Sequence, residues 1–121
     1  MEKHTEEWLR QSDCDMDKNT ALDMIARFRR GVEAREITPQ KVILYGSYAD
    51  GTHREGSDID VVIVSQDFAG KGYWERFGIL ADAIYEIFAP IEVVAMTPEE
   101  WEHGDSLIAA FARKGEVLYA A

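Results

Sequence analysis

The stretch "LYGSYADGTHREGSDIDVVIV", Leu44 to Val64, joins two apolar runs through a Gly-Ser pair, a polar loop and two aspartates set one residue apart. Carboxylates that close repel each other, and a strand entering a core has little use for them. They point to something outside the chain. Residues i and i+2 of a strand share a face, so Asp58 and Asp60 are expected side by side at the rim where "DIDVVIV" leaves its loop. "KVILY" reads as a short buried strand ended by Gly46, and Ser47 to Asp50 as one helical turn. Backbone N–H groups at the start of such a turn favour an anion, and glycine lets a phosphate come close. A phosphate cradle beside paired carboxylates suits Mg2+, which is held by one or two carboxylates together with substrate phosphates.

The same reading extends outward. From Ile59 onward the second strand is apolar at every position but Asp60, which predicts a central strand covered on both faces. "IEVVAM", after Pro90, is a third strand in which Glu92 is the only charged residue. Laid beside the second strand, Glu92 reaches the rim and face of Asp60; the alternative is a solvated glutamate on an edge strand. Three converging carboxylates favour two divalent ions about 3.5–4 Å apart, the arrangement that clamps attacking and leaving oxygens in phosphoryl-type displacement.

Helical spacing runs from Asn19 to about Arg35 through Leu22, Ile25, Phe28 and Val32, with Arg27, Arg29 and Arg30 as a solvated face. A second stripe, Trp74, Phe77, Ala81, Ile84 and Phe88, reads as the core side of a helix from Tyr73 to Phe88. Thr97, Pro98 and Glu100 form a helix-start signal with a capping box. A last helix is predicted near Ser106 to Lys114 with Gly115 as its cap, and "EVLYA" as a final strand. Residues 1–18 read as an arm or short helix packed through Trp8 and Leu9, and 19–121 as one domain. The fold class expected is α+β, with a mixed, twisted sheet of three to four strands and helices packed mainly on one face.

With 121 residues the chain suffices for one modest core, and 46% hydrophobic with 30% charged residues is ordinary for a globular domain. No apolar run approaches a membrane span, "MEKHTEEWLR" is too charged for a signal peptide, and the single Cys14 excludes an internal disulfide. A cytoplasmic protein is expected. A net charge of −10 argues against direct nucleic-acid binding, which relies on clustered Lys and Arg, and is compatible with a basic protein partner. His4, His53 and His103 share no spacing and read as surface residues; Arg54, between the motif halves, reads as a solvated loop residue.

Gly46-Ser47, ten residues, then Asp58-x-Asp60 and an apolar strand, resembles the signature of the nucleotidyltransferase superfamily of DNA polymerase beta. The short chain resembles its minimal branch. The similarity is clearest from Lys41 to Met96, and "KGEVLY" near the end is also family-like. One departure is that the family usually carries Asp where Glu92 stands. The resemblance implies that ATP binds with Mg2+, two ions in all, and that an acceptor hydroxyl attacks the α-phosphate in line and releases pyrophosphate. It implies that Gly46 and Ser47 hold the β- and γ-phosphates and that Asp58 and Asp60 bind metal. Glu92 would be the third ligand and help deprotonate the acceptor.

Only 29 residues follow Glu92, too few for a second domain that binds a small-molecule or tRNA acceptor, so the acceptor is expected on another molecule. Proteins of this look are often partnered with HEPN-domain RNases in toxin–antitoxin pairs, which implies an antitoxin that adds AMP to its toxin. Two alternatives stand beside it: a non-catalytic module that neutralises its partner by binding, and a small-molecule nucleotidyltransferase.

Overall fold

The computed structural model describes residues 17–104 and 106–121. The expected arm, with Trp8, Leu9, His4 and Cys14, lies outside the described residues apart from its end. Asp17 caps helix α1 (Lys18–Glu33), its carboxylate accepting from the Thr20 N–H at 2.8 Å. Strand β1 (Lys41–Tyr45) leads into the one-turn helix α2 (Ser47–Asp50), and β2 (Ile59–Val64) follows the polar loop. Helix α3 (Tyr73–Ile87) crosses to β3 (Ile91–Met96). Two six-residue helices, α4 (Pro98–His103) and α5 (Leu107–Ala112), precede β4 (Glu116–Ala120).

The four strands form one mixed sheet in the order β3-β2-β1-β4. β1 runs antiparallel to β2 and β4, and β2 runs parallel to β3. Residues of opposite parity feed two cores. On one face Val42, Leu44, Val61 and Ile63 pack under Ile25, Phe28 and Val32 of α1 and Leu80 and Ala83 of α3. On the other, Ile43, Val62, Val64 and Met96 pack under Trp101 of α4 and Ala109 and Ala112 of α5. The long helices thus share one face, and short ones close the other. This is the α+β architecture with a mixed sheet that the sequence leads one to expect. No helix among the described residues is long and apolar enough to cross a membrane.

Several local features follow from named residues. The capping box at α4 is formed, with the Glu100 N–H donating to Thr97 Oγ1 at 3.1 Å and the Thr97 N–H to Glu100 Oε1 at 2.8 Å. Arg76 of α3 donates to the same Glu100 carboxylate at 2.7 Å and to the carbonyls of Lys71 and Ala95, tying α3 to α4 and to β3. Gly115 is a correction: α5 is capped at Arg113, and Gly115 instead sits where a Cβ would collide with the Leu44 carbonyl. The aromatic stripe of α3 is a second correction. Leu80 and Ala83 face the core with Ile84 of the expected stripe partly buried against it, while Trp74, Phe77 and Phe88 are 76%, 52% and 78% exposed.

Candidate active site

The site is assembled by strand register. Tyr45, the last residue of β1, lies opposite Asp60, and Asp60 lies beside Glu92. The three side chains form one row across three strands, on the face that carries Ile43, Val62 and Val94 one step deeper. The row lies where β1 ends and β2 and β3 begin, because β1 runs opposite to both.

Gly46 leaves this rim with φ 75° and ψ −152°, a region open in practice to glycine alone. A Cβ there would also strike the Asp60 carboxylate. The bare backbone of Gly46 is therefore what lets the turn and the aspartate occupy the same corner. α2 starts at once: the Gly46 carbonyl accepts from the N–H groups of Ala49 and Asp50 at 3.1 and 3.0 Å. The first N–H groups of such a turn have no partner within it.

Asp60 is half-buried, whereas Asp58, just ahead of β2, and Glu92 are exposed. The Asp60 carboxyl is pushed up from 3.8 to about 6, first by loss of solvent, then by the charges of Glu92 and Asp58, and it shares a hydrogen bond with Glu92. Burial and the same neighbours, Asp60 and Glu92, raise the Tyr45 phenol above its ordinary value. These carboxylates are frustrated without a cation. Among the described residues no three His, Cys, Asp or Glu side chains form a ready-made metal cage. The donor set nevertheless fits Mg2+, a hard ion that typically uses one or two carboxylates and takes its remaining ligands from phosphate and water.

A pH dependence follows. Asp60 holds its proton more tightly folded than unfolded, so its contribution to stability is present below about pH 4 and is lost as pH rises through about 6. A shift of that size represents roughly 3 kcal/mol, and solvent screening around a partly exposed carboxylate leaves on the order of 1 kcal/mol. In EDTA, Asp60→Asn should therefore gain several degrees of Tm on the unsubstituted chain between pH 5 and pH 7.5. Parallel melting curves would show that Asp60 is not repelled.

The structure brings Gly46, Ser47, Asp60 and Glu92 to one rim, with Asp58 near enough for its charge to act on Asp60. Sequence reading missed Tyr45, whose place in the row follows only once β1 and β2 are paired antiparallel. Arg54 is exposed in the loop. His53 is not a plain surface residue: it is half-buried, stacks on Tyr48 with ring centroids 4.2 Å apart, and its Nδ1 is buried.

Residues 25–111 match the nucleotidyltransferase domain family. The chain belongs to the nucleotidyltransferase family. Solved structures share the fold. A "putative nucleotidyltransferase from Sulfolobus solfataricus" superposes with a TM-score of 0.61 at 17% identity, covering 84% of this chain and 90% of that one. A "toxin-antitoxin with AMP-PNP" gives 0.54 at 18% identity, covering 83% and 73%. A further "putative nucleotidyltransferase" gives 0.51 at 26% identity, covering 80% and 95%. No curated protein matches the chain. In this nucleotidyltransferase the motif residues and the conformational demand on Gly46 coincide at one corner, which lies within the matched span.

Proposed function

We propose that this nucleotidyltransferase moves AMP from ATP to a hydroxyl on a partner protein, as the antitoxin of a pair whose toxin is a HEPN-type RNase. The observation that carries the reading is the Asp60–Glu92 register pair packed against the Gly46-Ser47 turn. Family membership supports nucleotidyl transfer. The likeness in fold to a toxin–antitoxin structure solved with AMP-PNP, and the resemblance to the minimal branch, support the partner. ATP as substrate and a single cysteine suit a cytoplasmic setting.

Each residue has a part. The backbone of Gly46 and Ser47 receives the β- and γ-phosphates at the start of α2. Asp58, Asp60 and Glu92 would hold Mg2+, two ions for three carboxylates, and the metal would supply positive charge to neutralise the phosphates. Glu92, the most open of the row to incoming groups, accepts the proton of the attacking hydroxyl. The new oxygen–phosphorus bond forms as the bond to pyrophosphate breaks, and pyrophosphate leaves.

The test is label transfer from α-labelled ATP to a co-purified partner, with mass spectrometry to locate the added AMP. Labelling that needs divalent metal is the expected result. One observation favours a second reading, neutralisation by binding alone: no three-residue cage is preformed among the described residues. A partner silenced without any label would decide for that reading.

A further inference from the structure

β3 is an edge strand, and its pairing with β2 leaves half of its backbone groups turned outward. The Ile59 N–H donates to the Pro90 carbonyl at 2.8 Å and the Ser65 N–H to the Met96 carbonyl at 2.9 Å. In a parallel ladder alternate residues direct both backbone groups to the same neighbour. Glu92, Val94 and Met96 are therefore engaged with β2, and Ile91, Val93 and Ala95 present theirs to the open side. The Ile91 N–H is taken by the Ala89 carbonyl and the Ala95 carbonyl by Arg76. Both groups of Val93, the Ala95 N–H and the Ile91 carbonyl have no backbone partner among the described residues, and these three residues line a groove of about 1000 Å3.

One wall of this groove is α3, through Tyr73, Phe77, Ile84 and Tyr85; Ile108 of α5 contributes to the other, and Glu92 and Tyr45 line it as well. Tyr73 and Tyr85 are 70% and 73% exposed, a large aromatic surface that no helix or strand among the described residues covers. Strand edges of this kind are recognition surfaces for extended chain, the backbone giving affinity and alternate side chains giving specificity.

We propose that an extended segment of the acceptor protein docks here as a fifth strand on β3, which rests on the reading of the site as one that transfers AMP to a protein. The chemistry of the segment follows from the groove. Residues paired across strands share a face, so a residue beside Glu92 projects onto the Tyr45–Asp60 side, and its neighbours project toward α3. The segment carries apolar side chains at alternate positions, and a serine, threonine or tyrosine hydroxyl between them beside Glu92. It is basic, because it approaches three carboxylates on a chain of net charge −10. The same charge opposes a second copy in this place, since two such chains repel.

The probe is a labelled nonapeptide that alternates valine with lysine or arginine around a central tyrosine, titrated by fluorescence anisotropy without ATP. Two further peptides carry N-methyl groups on alternate amides, one in each phase. Docking as a strand predicts that one phase binds within about threefold of the parent and that the other loses binding at least 30-fold, by loss of backbone hydrogen bonds. Phe77→Ser, at an exposed position and neutral in charge, should weaken the parent at least tenfold. Equal binding by both phases, no binding at millimolar peptide, or indifference to Phe77→Ser overturns the proposal. A dimer that Phe77→Ser dissociates, with no peptide bound, assigns the groove to a second copy and overturns it too. Nucleotide binding is read separately, by the Tm shift with Mg2+-ATP. Strand-like peptide binding without any AMP transfer counts against the proposed function and leaves the groove assignment standing.

Discussion

Replacing both aspartates, Asp58→Asn with Asp60→Asn, is expected to abolish AMP transfer and to leave the chain folded. Metal-assisted charge stabilisation contributes several kcal/mol at a phosphoryl centre, so its loss amounts to about 10³-fold or more in rate. The fold should not suffer. Asp58 is exposed, and Asp60 is held above its ordinary protonation range by burial and by the charges of Glu92 and Asp58. An amide removes the repulsion while keeping shape and a hydrogen-bonding group for Glu92. Activity by label transfer and stability by thermal melting check the two halves. A double variant that unfolds would make the pair structural and would sink the assignment of the rim.

Glu92→Gln is the second large effect, and it separates enzyme from binding module. ATP binding should survive, since the proposed function rests it mainly on Ser47, Asp58 and Asp60, and should be visible as a Tm shift with Mg2+-ATP. Transfer should fall by about 10²–10⁴-fold, the usual worth of general-base assistance, with the ligand charge lost as well. Glu92 is exposed on an edge strand, so stability should hardly change. Glu92→Asp should remain active, and a gain would show that the shorter side chain suits the site. Suppose instead that the unsubstituted chain labels nothing yet silences its partner, and Glu92→Gln silences it equally. Neutralisation is then by binding.

Much of the fold was legible because the strands are bounded by Gly and Pro and the helices keep a clean period. The Gly46-Ser47 and Asp58-x-Asp60 positions were legible for a related reason: each breaks a local rule that its apolar neighbours obey. What failed needed information about pairing. The row of Tyr45 beside Asp60 depends on which way β1 runs, and no single strand records that. On α3 two apolar stripes share one period, so spacing alone does not say which is buried. The bulkier one, with Trp74 and Phe77, invites the wrong choice. The smaller one wins because α1 comes close there, with the Gly31 position 3.4 Å from the Ala83 Cβ for any added methyl. Gly115 was misread in a similar way: its N–H does reach back to the Ala112 carbonyl, but the contact that leaves least room for a side chain is the distant Leu44 carbonyl.

The two faces of the sheet also differ in how firmly they are shut. Two long helices close one face over a broad core, while the other is closed by α4 and α5, six residues each, over Trp101, Ala109 and Ala112. Helices that short do not persist without tertiary contacts, and one fastening between them is the Arg113 guanidinium on the Trp101 and Glu102 carbonyls. Amide protons of α4 and α5 should accordingly exchange with solvent well before those of α1, β1 and β2, as a separate unit of local opening. Since Tyr45, Asp60 and Glu92 lie on that side, such an opening would loosen the rim of the proposed site while the larger core stays closed.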